Sequence, residues 1–448
     1  MELANIGKEF WDWLGTNSTQ IGIIGLFVSG LWAFYLYHKK NETRSNDPAS
    51  LFDLTTLEHY HKLIEEKAEW ASEKTKLISM IEHFLLAIQK HDYPREQWEE
   101  LFIKLADAFV EKPDIESFDV DEHVKALLKK AEQTFEAGHP EDADALLQQA
   151  ELDHKKNAAL LRAQRGYYQY LAANLPEAAH HFEEAANIIG TSDTDQAYTY
   201  LYNAADALYD HGLYKGMNDA LVQSINLWEK ALTFTPRSTN PTNWAGTQNN
   251  LGNALLNLGK RESGTQHLED AITAYRLSLK EYTQERTPLD WAMTQNNLGN
   301  ALLALGRHES GTQHLEDAVT AYRLSLKEYT QERTPLQWAA TQNNYGYALA
   351  TLAERKQNVN LFKKALDAYD LSLKERTQSR VPLAWAQTQE NMGVTYTKMF
   401  HLSCERPYVD QAREKFEFAM EEYEKAGASY YVETLKNNMA ILEQEAAQ

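Results

Sequence analysis

The residues of this 448-residue chain whose type and spacing could do chemistry are side-chain amides. Asn249, Asn296, Asn343 and Asn437 each stand directly before Asn250, Asn297, Asn344 and Asn438, so paired carboxamides return at one place in successive stretches. A carboxamide carries donors and an acceptor, and can match the N–H and C=O groups of an extended peptide. Stacked along a groove, such pairs would read a peptide's backbone more than its side chains. Asn391, Asn253 and Asn300 complete the candidate peptide-binding set, while Glu390 and Tyr202 stand where two units would carry the first asparagine. The second asparagine could equally tie neighbouring units together. On the groove reading the amides are exposed, and removing Asn296 and Asn343 should leave the melting temperature nearly unchanged.

Other groups carry less. His180 and His181 before Glu183 and Glu184, and the HYH of residues 59–61, lack the i, i+4 histidine pair of a zinc helix, so solvated helix faces are expected there. The run GKRESGT at 259–265 lacks phosphate-loop spacing and follows no strand. Cys404, the single cysteine, has no base argued beside it and excludes an intramolecular disulfide. No catalytic residue, metal or cofactor is expected, and no enzyme activity. A formal charge of −21 argues against a nucleic-acid partner, which would need clustered Lys and Arg.

The elements that must position the amides recur with them. Trp244, Trp291, Trp338 and Trp385 stand 47 residues apart, and Asn203, Asn250, Asn297, Asn344, Asn391 and Asn438 keep the same step. A period of this length means a solenoid of stacked units, each burying its apolar face on its neighbours. In the unit from Trp291, Thr287 before Pro288 predicts a hydroxyl N-cap and a helix start. Trp291, Leu298, Ala301, Leu302 and Leu305 follow at helical spacing, and Gly306 is placed for a left-handed C-cap. After the loop RHESGTQ, a second helix carries Leu315, Ala318, Val319, Tyr322, Leu326 and Tyr329, and closes at the polar run TQERT. Units 244–290 and 291–337 differ at only six positions, the mark of a recent duplication.

The residues LGNAL, Gly306, Ala318, Tyr322 and Leu326 resemble the small and large packing positions of the tetratricopeptide repeat. That family's usual period is about 34 residues, so the extra length is expected in the loop between the two helices and the loop to the next unit. The NNLG doublet and the longer period look most like kinesin-light-chain-type repeats of bacterial proteins. The resemblance implies an all-α, tetratricopeptide-type helical-hairpin solenoid, whose first helices line a concave groove and whose doublet asparagines hold peptide backbone. No charged residue lies between Trp244 and Gly259 or between Trp291 and Gly306, so the groove would be neutral and rich in amides, with no clamp for a terminal carboxylate.

Ahead of the repeats, residues 21–37 hold no charge and are followed by His38, Lys39 and Lys40. They give about 25 Å of helix, close to the thickness of a bilayer core, with Trp11, Trp13, Trp32, Tyr35 and Tyr37 near the expected interfaces. One transmembrane helix is expected at 19–38, after a juxtamembrane segment 1–18. Lys39, Lys40 and Arg44 against Lys8 place the repeats in the cytoplasm of a bacterium, beneath the inner membrane. Gly22, Gly25 and Ser29 share one helix face through which two copies could associate. A polar tether (39–50), a helical region (51–118), two ordinary-length units (119–190), five long units (191–429) and a capping helix with polar tail (430–448) complete the expected order. The expected function is a membrane-anchored scaffold or sensor binding a protein or peptide. The alternatives are a non-catalytic part of a signalling or antiphage-defence system or, with reversed topology, a periplasmic assembly factor.

Overall fold

The computed structural model describes residues 122–153 and 158–447, and among these every regular element is a helix. The expected membrane span, its Gly22, Gly25 and Ser29 face, the tether and the helical region before residue 119 lie outside the described residues. No helix among the described residues is long and apolar enough to cross a membrane.

The described chain divides into two compact units, with the boundary between Ala220 and Leu221. The first contains the hairpins α1 (Glu122–Glu136) with α2 (Pro140–Asp153) and α3 (Ala158–Leu171) with α4 (Leu175–Ile189), then a short 3-10 turn and α5 (Thr194–Tyr214). Each helix packs on the next. Asp193 starts α5 by accepting a hydrogen bond from the Gln196 N–H. The Phe182 ring lies so close on Gly166 that a Cβ there would fall 2.8 Å from it.

α6 (Asn218–Phe234) carries the boundary. The second unit then repeats one hairpin four times: α7 (Pro241–Arg261) with α8 (Gln266–Ser278), α9 (Pro288–His308) with α10 (Gln313–Ser325), α11 (Pro335–Lys356) with α12 (Val359–Ser372), and α13 (Pro382–Ser403) with α14 (Pro407–Lys425). The final α15 (Ser429–Ala446) packs on α14 without a second helix of its own. Each second helix meets the first helix of the following hairpin, and the first helices α7, α9, α11 and α13 also touch in series. They form a continuous row.

Three local expectations are corrected. Proline does begin α7, α9, α11 and α13, but the Thr287 hydroxyl caps nothing and lies buried without a partner, whereas Asn240 at the equivalent place accepts from the Asn243 N–H. Gly306 is no C-cap either. α9 runs past it to His308 and ends at Glu309 in extended backbone, while a Cβ on Gly306 would stand 2.7 Å from Leu315 Cδ2, so the glycine admits the second helix. In the unit from Trp291 the extra length lies in a 21-residue first helix and the connection 326–334, with only residues 309–312 joining the hairpin.

The core of the row is a column of rings. Tyr275, Tyr322 and Tyr369 are fully buried, Phe416 is nearly so, and each lies on the glycine of its own first helix: Gly252, Gly299, Gly346 and Gly393. α15 buries Val432, Leu435 and Leu442 but leaves Tyr430 and Ile441 exposed, and the expected polar tail is helical as far as Ala446.

Candidate functional site

The doublet asparagines meet along the row of first helices. Asn391 Nδ2 donates to Asn343 Oδ1 (3.0 Å), Asn343 to Asn344 (3.5 Å), and Asn344 to Asn296 (3.3 Å). Asn296 continues to Asn297 (3.4 Å), Asn297 to Asn249 (3.3 Å), and Asn249 to Asn250 (3.2 Å). Every bond runs in the same sense, from Nδ2 to the next Oδ1. The alternation is simple: the second asparagine of one unit donates to the first asparagine of the unit before, which passes the bond to its own neighbour. Most of the distances are at the long end for N–H···O bonds, so each link is individually weak.

Burial divides the ladder into two kinds of position. Asn249 and Asn343 are 1% and 4% exposed, whereas Asn250, Asn296, Asn297, Asn344 and Asn391 are half-buried. The ladder engages one Nδ2 hydrogen and one lone pair of Asn297 and of Asn344, leaving a second donor and acceptor site on each. Asn253 and Asn300 belong to the hairpin instead: their Oδ1 atoms accept from the hydroxyls of Tyr275 (2.7 Å) and Tyr322 (2.8 Å). Asn203, in the first unit, donates to the Tyr167 hydroxyl.

Asn437 and Asn438 stand apart, exposed on α15 with none of these bonds. Glu390 occupies the position that would pass the ladder on, and a carboxylate has no hydrogen to give. It accepts instead from the Tyr423 hydroxyl at 2.8 Å, and burial raises its pKa above the usual carboxylate range. A raised pKa means that the folded state holds the charged form at a cost above that pKa, a cost that disappears as pH falls through it toward the unfolded value. Glu390→Gln is therefore expected to raise the thermal midpoint at neutral pH, with the gain vanishing in acid; thermal melts of both proteins from pH 7 to pH 4 check this.

A second series was not anticipated from the sequence. Gln284, Gln331 and Gln378 each donate to a glutamate of the following unit, Glu328, Glu375 and Glu422, at 2.7 Å, and Arg237 fills the same place before Glu281 at 2.6 Å. Within a unit, Arg286, Arg333 and Arg380 pair with Glu281, Glu328 and Glu375. Hydrogen bonds from Arg237 and Arg286 hold the Glu281 carboxyl below its ordinary range. The polar run TQERT thus joins units as well as ending them. The recurrence of Gln and Glu at the 47-residue step was the available signal.

On α4, His180, His181 and Glu184 bring three potential ligand atoms within 4.8 Å of one another. Arg162 already binds Glu184 at 2.7 Å. His181 is 2% exposed, and burial followed by the charge of Arg165 pushes its pKa down to about 4. The same arginine field opposes a cation, so the cluster is better described as an ion pair beside a neutral imidazole.

Comparison with known proteins agrees with this geometry. The family model "Tetratricopeptide repeat" matches residues 244–281 and 291–328. No curated protein matches the chain. Among solved structures, a tetratricopeptide repeat protein from Parabacteroides merdae is similar at 14% identity, covering 72% of this chain and 100% of that one with a TM-score of 0.44. BtubC (BKLC) from P. vanneervenii is similar at 18% identity over 54% of this chain and 89% of its own, with a TM-score of 0.36. A Rap protein complexed with Competence and Sporulation Factor is similar at 12% identity over 84% and 99%, also with a TM-score of 0.36. At such scores these likenesses carry no further weight. The family match thus falls on the two hairpins α7–α8 and α9–α10, within an all-α array of stacked helical hairpins.

Proposed function

We propose that this chain is a non-catalytic scaffold that binds an extended peptide, or an extended segment of a protein, along the row α7, α9, α11 and α13. The supporting observation is the half-used amide ladder: Asn297 and Asn344 are held in place by their neighbours while each keeps a donor and an acceptor site for a ligand. Peptide backbone presents the complementary pair at every residue. The uncharged stretch 21–37 supports anchoring of this scaffold at a membrane, and the Lys and Arg that follow it favour repeats on the cytoplasmic side.

A photo-crosslinking residue tests the surface. Placed at Ala304, half-buried on the first-helix row, it should capture a partner in cells; placed at Arg276, exposed on a second helix, it should not. Equal capture at both, or capture at Arg276 alone, would move the binding surface away from the ladder. A phosphatase fused after Gln448 should be inactive in the periplasm, and an active fusion would overturn the cytoplasmic placement.

A further inference from the structure

Among the described residues α15 is the first helix of a unit without a second, so the face that a second helix covers elsewhere lies open. In α9 that face is marked by Gly299 and Asn300: the Tyr322 ring lies on the glycine, and its hydroxyl donates to the amide. In α13 it is marked by Glu390, which accepts from Tyr423 of α14. One 47-residue step beyond Glu390 stands Asn437, and three such steps beyond Gly299 and Asn300 stand Ala440 and Ile441. All three are exposed.

The open face has a regular pattern. Tyr430, Thr434, Asn437, Ile441 and Gln444 follow one another at steps of four, three, four and three residues, the seam spacing of a coiled coil. None of them is charged. Tyr430 is 76% exposed and Ile441 55%, more than any other large hydrophobic side chain among the described residues. The charges of α15 are engaged elsewhere, since Lys436, Glu443 and Glu445 pair with Glu424, Arg413 and His401 of α13 and α14. An ordinary second helix does not fit this face. In the four complete hairpins a ring lies so close on the first-helix glycine that a Cβ there would stand 2.6 to 2.8 Å from it, and Ala440 carries that Cβ.

We infer that α15 pairs antiparallel with α15 of a second copy of this chain. The register that uses the seam most fully sets Tyr430 against Ile441 of the second copy and Thr434 against its Asn437, and two-fold symmetry repeats both contacts. The two exposed apolar side chains then cover one another, and a hydroxyl meets a carboxamide that can both donate and accept. Shifted by one layer, the seam would set Ile441 against Asn437 and leave Tyr430 over the helix end. Beside the seam Glu433 comes against Ala440 and Tyr431 against Asn438, so no like charges meet, which matters between copies of a chain with a net charge of −21. A second copy suits the face better than a different protein because one surface supplies both halves of every contact. This pairing is independent of whether the row α7, α9, α11 and α13 binds a peptide.

The test is disulfide cross-linking of the full chain in detergent, on a background in which the single, exposed cysteine is replaced, Cys404→Ser. Tyr430→Cys and Ile441→Cys are made in separate proteins, mixed, oxidised with copper phenanthroline and read on a non-reducing gel. In the antiparallel pair the two different cysteines meet, whereas two copies of one variant hold theirs eleven residues, about 16 Å, apart along the helix, beyond disulfide reach. The mixture should therefore give roughly ten-fold more covalent dimer than either variant alone. Asn437→Glu added to both proteins should cut that yield several-fold by bringing two carboxylates into the seam, with helicity unchanged by circular dichroism because Tyr430, Asn437 and Ile441 are all exposed. Efficient cross-linking of each variant with itself, as parallel helices would give, overturns the inference. Equal yields in the mixture and the single variants, as association through another part of the chain would give, also overturn it. So does the absence of covalent dimer from every sample, which would leave the face to a different protein.

Discussion

Replacing Asn343 by alanine is expected to destabilise the protein by roughly 1 to 3 kcal/mol, the combined net effect of two interrupted hydrogen bonds. Asn343 is 4% exposed, accepts from Asn391 and donates to Asn344, so its loss leaves a donor on α13 and an acceptor on α11 without their partners. Asn437→Ala removes the same group from the equivalent place on α15, where it is exposed and makes none of these bonds. That change should stay within about 0.5 kcal/mol. Urea unfolding of the two variants measures the difference directly. Equal stabilities would show that the ladder contributes nothing to joining the units. The prediction reverses what exposed groove amides would imply, because Asn343, like Asn249, is buried and bonded to the second asparagine of the next unit.

Tyr322→Ala should cost more, roughly 3 to 5 kcal/mol, the usual range for removing a large aromatic side chain from a core. The ring is fully buried on Gly299, and its hydroxyl donates to Asn300 Oδ1 at 2.8 Å. Tyr322→Phe keeps the ring and should cost only about 1 kcal/mol, since Asn300 is half-buried and water can reach its oxygen. The chain carries this change already: Phe416 lies on Gly393 with Val394 at the position equivalent to Asn300. Ring and hydroxyl are thus separable. Each hairpin is stabilised mainly by its neighbours, so Tyr322→Ala should also broaden the unfolding transition as α9 and α10 loosen from the row. A single sharp transition with an unchanged midpoint would contradict the placement of this ring in the core.

Much of this was legible in the sequence because it is set by local spacing. The 47-residue return of Trp291 and Asn297, the proline at the start of each first helix, and the apolar positions Leu298, Ala301 and Leu302 follow from helical period and stereochemistry, and they specify paired helices in series. The same spacing singled out the asparagine doublets as the unusual chemistry of the chain. It did not reveal their geometry. Asn297 meets Asn249, and Gln284 meets Glu328, across a distance fixed only when one hairpin packs on the next, and nothing within a single helix encodes that distance. Gly306 shows the same limit: glycine at a helix end reads as a C-cap, and only the nearness of Leu315 shows that it is there to admit a neighbouring helix. Local stereochemistry determined the helices and their order. Packing between units decided which amides are buried in the ladder and which keep a second donor and acceptor unengaged by it.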